Sequence, residues 1–85
     1  MPRAPSFQQV EAFQAVMQRG TTTSAAVLLN TTQPSVSRRI AQFEHSTGLK
    51  LFDLHRGRLR PTSEGLVLYR AIERHFSGLK KIEAV

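Results

Sequence analysis

The stretch of the chain best suited to chemistry is residues 32–47, where hydroxyl, amide and guanidinium side chains accompany an apolar stripe at helical spacing. Val36, Ile40 and Phe43 recur at steps of four and three, so they fall on one face of a helix. The opposite face, at about 100° per residue, is small, polar and basic. It comprises Pro34, Ser37, Arg38, Ala41 and His45. Such a helix suits a DNA major groove, although the stretch alone also fits an ordinary amphipathic helix with a solvated face.

Positive charge is concentrated in the second half of this stretch and in the residues that follow it. The chain of 85 residues carries twelve basic and six acidic side chains, a net charge of +6. Residues 38–60 hold six of the basic and two of the acidic residues, a net of +4, and the rest of the chain holds six and four, a net of +2. A basic patch confined to one part of a chain favours a polyanionic partner over general solubility.

The residues that could support catalysis or bind a metal lack the spacing that either needs. His45, His55 and His75 do not form a metal-site pattern, and Glu73 lies two residues from His75, so the two would diverge on a helix. There is no cysteine, and neither a Gly-rich phosphate loop nor a nucleophile elbow is present. The sequence therefore predicts no enzyme, no catalytic or metal-binding residue and no cofactor.

The length of the chain suits one domain with one modest core. No apolar run approaches the length of a membrane span, and there is no secretory signal. We therefore expect a soluble, cytoplasmic protein with no membrane partner.

Two helices are predicted before residue 32. The first spans Ser6–Arg19, with Ser6 as its N-cap, and ends at a glycine. The second is short, capped by Thr22 or Thr23, and runs through Leu29 with two alanines facing inward. Asn30–Thr31 then form a tight turn before a third helix, capped by a threonine and stopped by a glycine. Two helices joined by a tight turn form the helix-turn-helix arrangement, for which a helical hairpin in an unrelated bundle is the alternative.

After the third helix, two short strands are predicted at Leu51–His55 and Arg58–Arg60, joined by a turn at Arg56–Gly57. Arginines at and just past this turn predict a wing that lies along phosphates or enters a minor groove. A solvated turn whose charges discourage edge pairing is the alternative interpretation.

A long last helix, capped by Thr62 or Ser63, follows the hairpin. Its apolar residues recur at steps of three and four, close to a heptad seam. They are Leu66, Tyr69, Ile72, Phe76, Leu79 and Ile82. The seam extends about 30 Å at helical rise, more than so small a domain can cover. Its distal half therefore predicts a dimer through the same helix of a second chain, against the alternative of a helix packed wholly on its own domain.

The run from Phe7 to Leu68 resembles the N-terminal DNA-binding domain of LysR-type transcriptional regulators. The matching residues are Ala25, Ala26, Leu29, the run Thr32–Arg38, Ile40, Phe43, Glu44, Gly48, Leu49, Leu51, Phe52, Arg56, Pro61, Thr62 and Gly65. The chain looks most like the regulators of opine catabolism. One departure is Leu54, which stands where the family usually has arginine or lysine, so that Arg56 or His55 would have to supply the backbone contact.

The resemblance implies a mostly α fold: a winged helix-turn-helix of three helices and a two-stranded wing at residues 1–61, then a linker and dimerisation helix at residues 62–85. It implies a fragment of a longer regulator that lacks its effector-binding domain, where a small-molecule effector would bind. It further implies a homodimer, or a tetramer of the full-length protein, on an imperfect inverted repeat in double-stranded promoter DNA.

Roles for individual side chains follow from this arrangement. At the start of the third helix, base edges would be read by Gln33, Ser35, Ser37 and Arg38, with Arg38 placed for a bidentate contact to guanine. Backbone and wing contacts would come from Thr23, Thr32, Arg56, Arg58 and Thr62. A winged-helix module for protein contacts is the alternative function, and the arginine cluster speaks against it. RNA binding lacks an exposed aromatic platform, because the aromatic residues all fit apolar stripes.

Overall fold

A computed structural model describes residues 5–56 and 58–83, with side chains described for residues 5–56 and 58–75. Within these residues the chain forms four helices and one two-stranded antiparallel sheet. They are α1 (Phe7–Arg19), α2 (Thr22–Leu28), α3 (Gln33–Thr47), β1 (Phe52–His55), β2 (Arg58–Pro61) and α4 (Ser63–Glu83). The predicted order of three helices, a hairpin and a last helix is confirmed, and the role of α4 as a linker stays a prediction.

Side-chain caps fix where α1 and α3 begin. The Ser6 Oγ accepts from the backbone N–H of Gln9 at 3.2 Å, and the Gln9 side chain accepts from the Ser6 N–H at 3.4 Å. This reciprocal pair is the predicted capping box. The Thr32 hydroxyl accepts from the Ser35 N–H at 3.3 Å and caps α3, as predicted. Gly48, with φ of 71°, ends α3 in the left-handed conformation that glycine adopts without strain.

The predicted cap of α2 is wrong. Thr21, and neither Thr22 nor Thr23, is the N-cap, and its hydroxyl accepts from the Ser24 N–H at 3.0 Å. Thr21 has extended backbone angles, φ −138° and ψ 155°, so the first helical residue is already Thr22. The Thr22 hydroxyl is therefore not used for capping, and it accepts a hydrogen bond from the Gln33 side chain instead.

Phe13 lies at the centre of the core and is fully buried. Its ring centroid is 5.4 Å from that of Phe43 on α3, 5.7 Å from Phe52 on β1 and 6.3 Å from Tyr69 on α4. Tilted and edge-on aromatic contacts of this kind stabilise beyond the area they bury, by about 0.5–1.5 kcal/mol each. Phe13 therefore ties α3, the hairpin and α4 to α1. The stripe predicted for α3 is confirmed as buried, in Val36, Ile40 and Phe43.

Glu44 connects α3 to the hairpin. Its Oε2 accepts from the backbone N–H of Leu51 at 2.8 Å and from that of Phe52 at 3.3 Å. The Leu51 carbonyl accepts from the Thr62 N–H at 3.0 Å. Because these bonds take both polar backbone groups of Leu51, β1 begins at Phe52 and not at the predicted Leu51. At the other end Pro61 is still part of β2, opposite Phe52.

The start of α4 packs directly on the same segment. The Thr62 hydroxyl donates to the carbonyl oxygen of Lys50 and accepts from the Gly65 N–H at 3.0 Å, so it caps the helix as predicted. Gly65 is buried, and a Cβ there would overlap the carbonyl oxygen of Leu51. The close approach of α4 to the hairpin therefore requires glycine at this position.

Further along α4, Tyr69 and Ile72 are half-buried against the core of their own domain. The Gln14 Nε2 donates to the Glu73 Oε1 at 3.2 Å, which joins α1 to α4. Three residues of the predicted seam, Phe76, Leu79 and Ile82, lie outside the described side chains.

Candidate nucleic-acid interface

The side chains predicted to read bases all lie on the first half of α3, away from its buried stripe. Gln33 and Arg38 are exposed, and Ser35 and Ser37 are half-buried. This half of α3 begins directly after the turn that follows α2, with Thr32 as its N-cap and Pro34 in its first turn. The turn itself contains Asn30 in the left-handed conformation, with φ of 55°, so that α2 and α3 meet over a very short connection.

These polar side chains also bond to one another. The Gln33 Nε2 donates to the Thr22 Oγ1 at 3.1 Å and to the Ser37 Oγ at 2.6 Å. The Thr32 Oγ1 donates to the Ser35 Oγ at 3.0 Å. The face is therefore partly organised before any ligand binds, which lowers the entropy cost of binding. From the sequence Thr22 is only a possible cap, and its contact with Gln33 is not predictable because the pairing depends on how α2 crosses α3.

The three threonines predicted to hold phosphates lie in different settings. Thr23 is exposed in the first turn of α2, and Thr32 is exposed at the start of α3. Thr62 is half-buried, and its one hydroxyl proton is donated to Lys50. A phosphate contact by Thr62 would have to replace that bond.

The hairpin carries exposed arginines at and beyond its tip. Arg56 follows β1 with φ of 52°, a left-handed conformation that costs a residue with a Cβ about 1–2 kcal/mol. In the antiparallel register His55 lies opposite Arg58 and Asp53 lies opposite Arg60. Directly opposed residues share a face of the ribbon, so Asp53 offsets the charge of Arg60, whereas Arg58 has a histidine opposite it.

Leu54 lies opposite Leu59 on the other face of the ribbon and is 73% exposed. This residue departs from the usual arginine or lysine of the family that the sequence resembles, and its side chain is not packed on the core. The described contacts do not explain why leucine occurs at this position.

An apolar strip lies along the first two turns of α4. Leu66 is 40% exposed and Val67 is 65% exposed, and Leu49, in the loop after α3, lies beside Val67. The predicted seam includes Leu66 but not Val67, and two of its members, Tyr69 and Ile72, pack against the domain's own core, so the seam as a dimer contact stays a prediction. Helical spacing alone cannot distinguish the apolar residues of α4 that pack on the domain's own core from those that are exposed to solvent.

Electrostatics at the start of α4 agree with its helical geometry. Hydrogen bonds from the backbone N–H of Glu64 and then from the hydroxyl of Ser63 lower the pKa of the Glu64 carboxyl below the usual range of a glutamate.

Among the residues that the structure describes, no cluster of His, Cys, Asp and Glu could hold a metal ion. Among the same residues, no helix is long and apolar enough to cross a membrane.

Three helices around one aromatic core, a short turn between the second and third, and an antiparallel hairpin bearing arginines define a winged helix-turn-helix domain. The chain belongs to the bacterial regulatory helix-turn-helix proteins of the lysR family, whose family model matches residues 7–66.

Regulators of this family resemble the chain along most of its length. It is 49% identical to the transcriptional activator protein LysR of Escherichia coli over 79 residues, which are 93% of this chain and 25% of that protein. It is 44% identical to the octopine catabolism/uptake operon regulatory protein OccR of Rhizobium meliloti, over 91% of this chain and 26% of that protein. The chain thus spans about a quarter of the length of these regulators, and the resemblance does not single out the opine group.

Solved structures agree on the fold. A LysR-family transcriptional regulator from Eggerthella lenta superimposes with a TM-score of 0.74 at 37% identity, covering 80% of this chain and 97% of that one. The BenM DNA-binding domain, solved in complex with benA site 1 DNA, superimposes with a TM-score of 0.83 at 25% identity, covering 93% and 89%.

Proposed function

We propose that this chain is the sequence-specific, double-stranded DNA-binding domain of a LysR-type transcriptional regulator. The observation that carries the proposal is the first half of α3, where the exposed Arg38 lies opposite a fully apolar buried stripe and the exposed Gln33 lies beside that stripe. The BenM domain, similar in fold and solved in complex with DNA, supports DNA binding by a domain of this fold.

Base recognition is assigned to α3 in the major groove. The Arg38 guanidinium is exposed and matches the O6 and N7 acceptors of guanine, a pair worth about 1–3 kcal/mol of discrimination. Gln33, Ser35 and Ser37, in the first turns of the same helix, complete the reading face. Arg39 is half-buried and is assigned no base.

Contacts to the DNA backbone, which add affinity without sequence preference, are assigned to the hairpin and to the N-termini of α2, α3 and α4. Arg56 and Arg58 would lie along phosphates or enter the minor groove, where a narrow groove strengthens the negative potential. Thr23 would contact a phosphate through its exposed hydroxyl, whereas Thr32 and Thr62 would do so only by exchanging their bonds to Ser35 and Lys50.

Dimerisation is assigned to α4. The exposed Leu66 and Val67 support a contact with the same helix of a second chain, together with the rest of the predicted seam. Two domains related by a two-fold axis would bind the two halves of an imperfect inverted repeat in a promoter. A small-molecule effector and any tetramer would belong to the remainder of a longer, cytoplasmic regulator.

A comparison of three arginine variants tests the proposal. Duplexes selected from a random pool and an unrelated duplex are titrated by fluorescence anisotropy at two salt concentrations. Arg38→Ala is expected to lose most of the preference between the duplexes, because it removes a base contact. Arg56→Ala should weaken both duplexes alike and reduce the salt slope by about 1. Arg19→Ala, an exposed arginine at the end of α1, is the matched control and should keep the preference.

Two results would contradict the proposal. Equal affinity of the wild type for the two duplexes at both salt concentrations would contradict sequence-specific binding. Identical changes in affinity and salt slope in Arg38→Ala and Arg56→Ala would contradict the division of roles between α3 and the hairpin.

A further inference from the structure

The Gln33 amide is held between two hydroxyl groups on different helices. Its nitrogen donates to Thr22 in the first turn of α2 and to Ser37 one turn further along α3, at 3.1 and 2.6 Å. Ala25 and Ala26, both buried, allow α2 to approach its neighbours closely. The packing of the two helices therefore places the Thr22 hydroxyl where Gln33 can reach it.

The direction of these bonds determines which groups remain for a ligand. A primary amide carries two donors on its nitrogen, and its oxygen is an acceptor. Among the described residues, both hydrogen bonds of the Gln33 side chain use Nε2, so Oε1 is left to accept from a partner. Ser37 uses its oxygen to accept, and its own hydroxyl proton is left to donate.

An acceptor beside a donor matches one purine better than the other. In the major groove adenine presents its N6 amino group next to the N7 acceptor, whereas guanine presents two acceptors, O6 and N7. A glutamine with free donors can bind adenine by itself. This glutamine can donate to N7 only by breaking its bond to Thr22 or Ser37.

We propose that Thr22 is a positioning residue for sequence recognition. Together with Ser37 it fixes the Gln33 amide, so that Gln33 accepts from N6 of an adenine while Ser37 donates to its N7, and guanine is rejected. The inference rests on the proposed DNA-binding function and deepens it. It makes Gln33 and Ser37 a single unit, oriented by a residue that does not itself touch the base.

The test first locates the base pair concerned. Selection from a random duplex pool with the wild type and with Gln33→Ala identifies the position at which the variant loses its preference. Affinities for duplexes with adenine or guanine at that position are then measured for the wild type, Thr22→Val and Thr22→Ser. Thr31→Val makes the same chemical change in the turn before α3 and is the matched control. Thermal unfolding checks each fold, and Thr22→Ala removes the same acceptor should Thr22→Val fail to fold.

The wild type is expected to prefer adenine at this position. Thr22→Val should lower the adenine-to-guanine affinity ratio by about threefold to tenfold, as for one hydrogen bond lost, at an unchanged melting temperature. Thr22→Ser and Thr31→Val should keep the ratio. A wild-type preference for guanine, or an unchanged ratio in Thr22→Val, would overturn the proposal. A wild type that selects no sequence at all would instead contradict the proposed function.

Discussion

Removal of the Glu44 carboxylate should show how firmly the hairpin depends on α3. The carboxylate accepts from the N–H groups of Leu51 and Phe52, at 2.8 and 3.3 Å. Leu51 is 0% and Phe52 is 5% exposed, so neither N–H can turn to water when the acceptor is lost. Each donor would then be left buried and unsatisfied.

The size of the effect follows from those two bonds. A hydrogen bond to a charged group contributes about 1.5–3 kcal/mol, and a buried donor without a partner costs about 1–3 kcal/mol. The shorter bond to Leu51 counts in full and the longer bond to Phe52 in part. Glu44→Ala should therefore lower the free energy of unfolding by about 2–4 kcal/mol. Glu44→Gln keeps one acceptor oxygen and should lose about half as much.

Urea unfolding followed by circular dichroism measures both variants. Gln42→Ala, an exposed change on the same helix, is the control and should stay within about 0.5 kcal/mol of the wild type. A loss below about 1 kcal/mol in Glu44→Ala would contradict this expectation, since it would show that the two amides find other partners.

Two further predictions concern the start of α4. Gly65→Ala should destabilise the domain by about 1–3 kcal/mol in the same urea assay, because the new Cβ must displace the carbonyl oxygen of Leu51; a neutral result would mean that α4 can shift freely. The lowered pKa of Glu64 means that its ionised form stabilises the fold at neutral pH, and that this contribution is lost as pH falls from the usual value of 4.5 through the lowered one. Glu64→Gln should therefore flatten the acid limb of a stability-against-pH curve, and an unchanged limb would contradict this.

Local signals in the sequence were enough to predict the helices. The capping box at Ser6, the threonine cap at Thr32 and the stop at Gly48 each depend on residues within one turn of the helix end. The buried stripe of α3 follows from spacing alone. Where two similar residues compete over one position, as at Thr21 and Thr22, the local signal gave the wrong cap.

Contacts between elements could not be predicted in the same way. The carboxylate of Glu44 is bonded to amides seven and eight residues away, and Gly65 is fixed by a carbonyl oxygen of the loop before β1. The bond between Thr22 and Gln33 depends on how two helices cross. Periodicity also could not show that Tyr69 faces its own core while Val67 faces outward. These contacts are tertiary, and they attach the start of α3 and the hairpin to the rest of the domain.

The central claim, that α3 presents Arg38 to guanine in the major groove, can be tested with one modified base. Each guanine of the selected duplex is replaced in turn by 7-deazaguanine, which lacks N7, and affinities are measured for the wild type and Arg38→Ala. We expect one position at which the replacement weakens binding by the wild type but leaves binding by Arg38→Ala unaffected, because both changes remove the same contact. Losses that simply add at every guanine, or a wild type indifferent to all replacements, would contradict it.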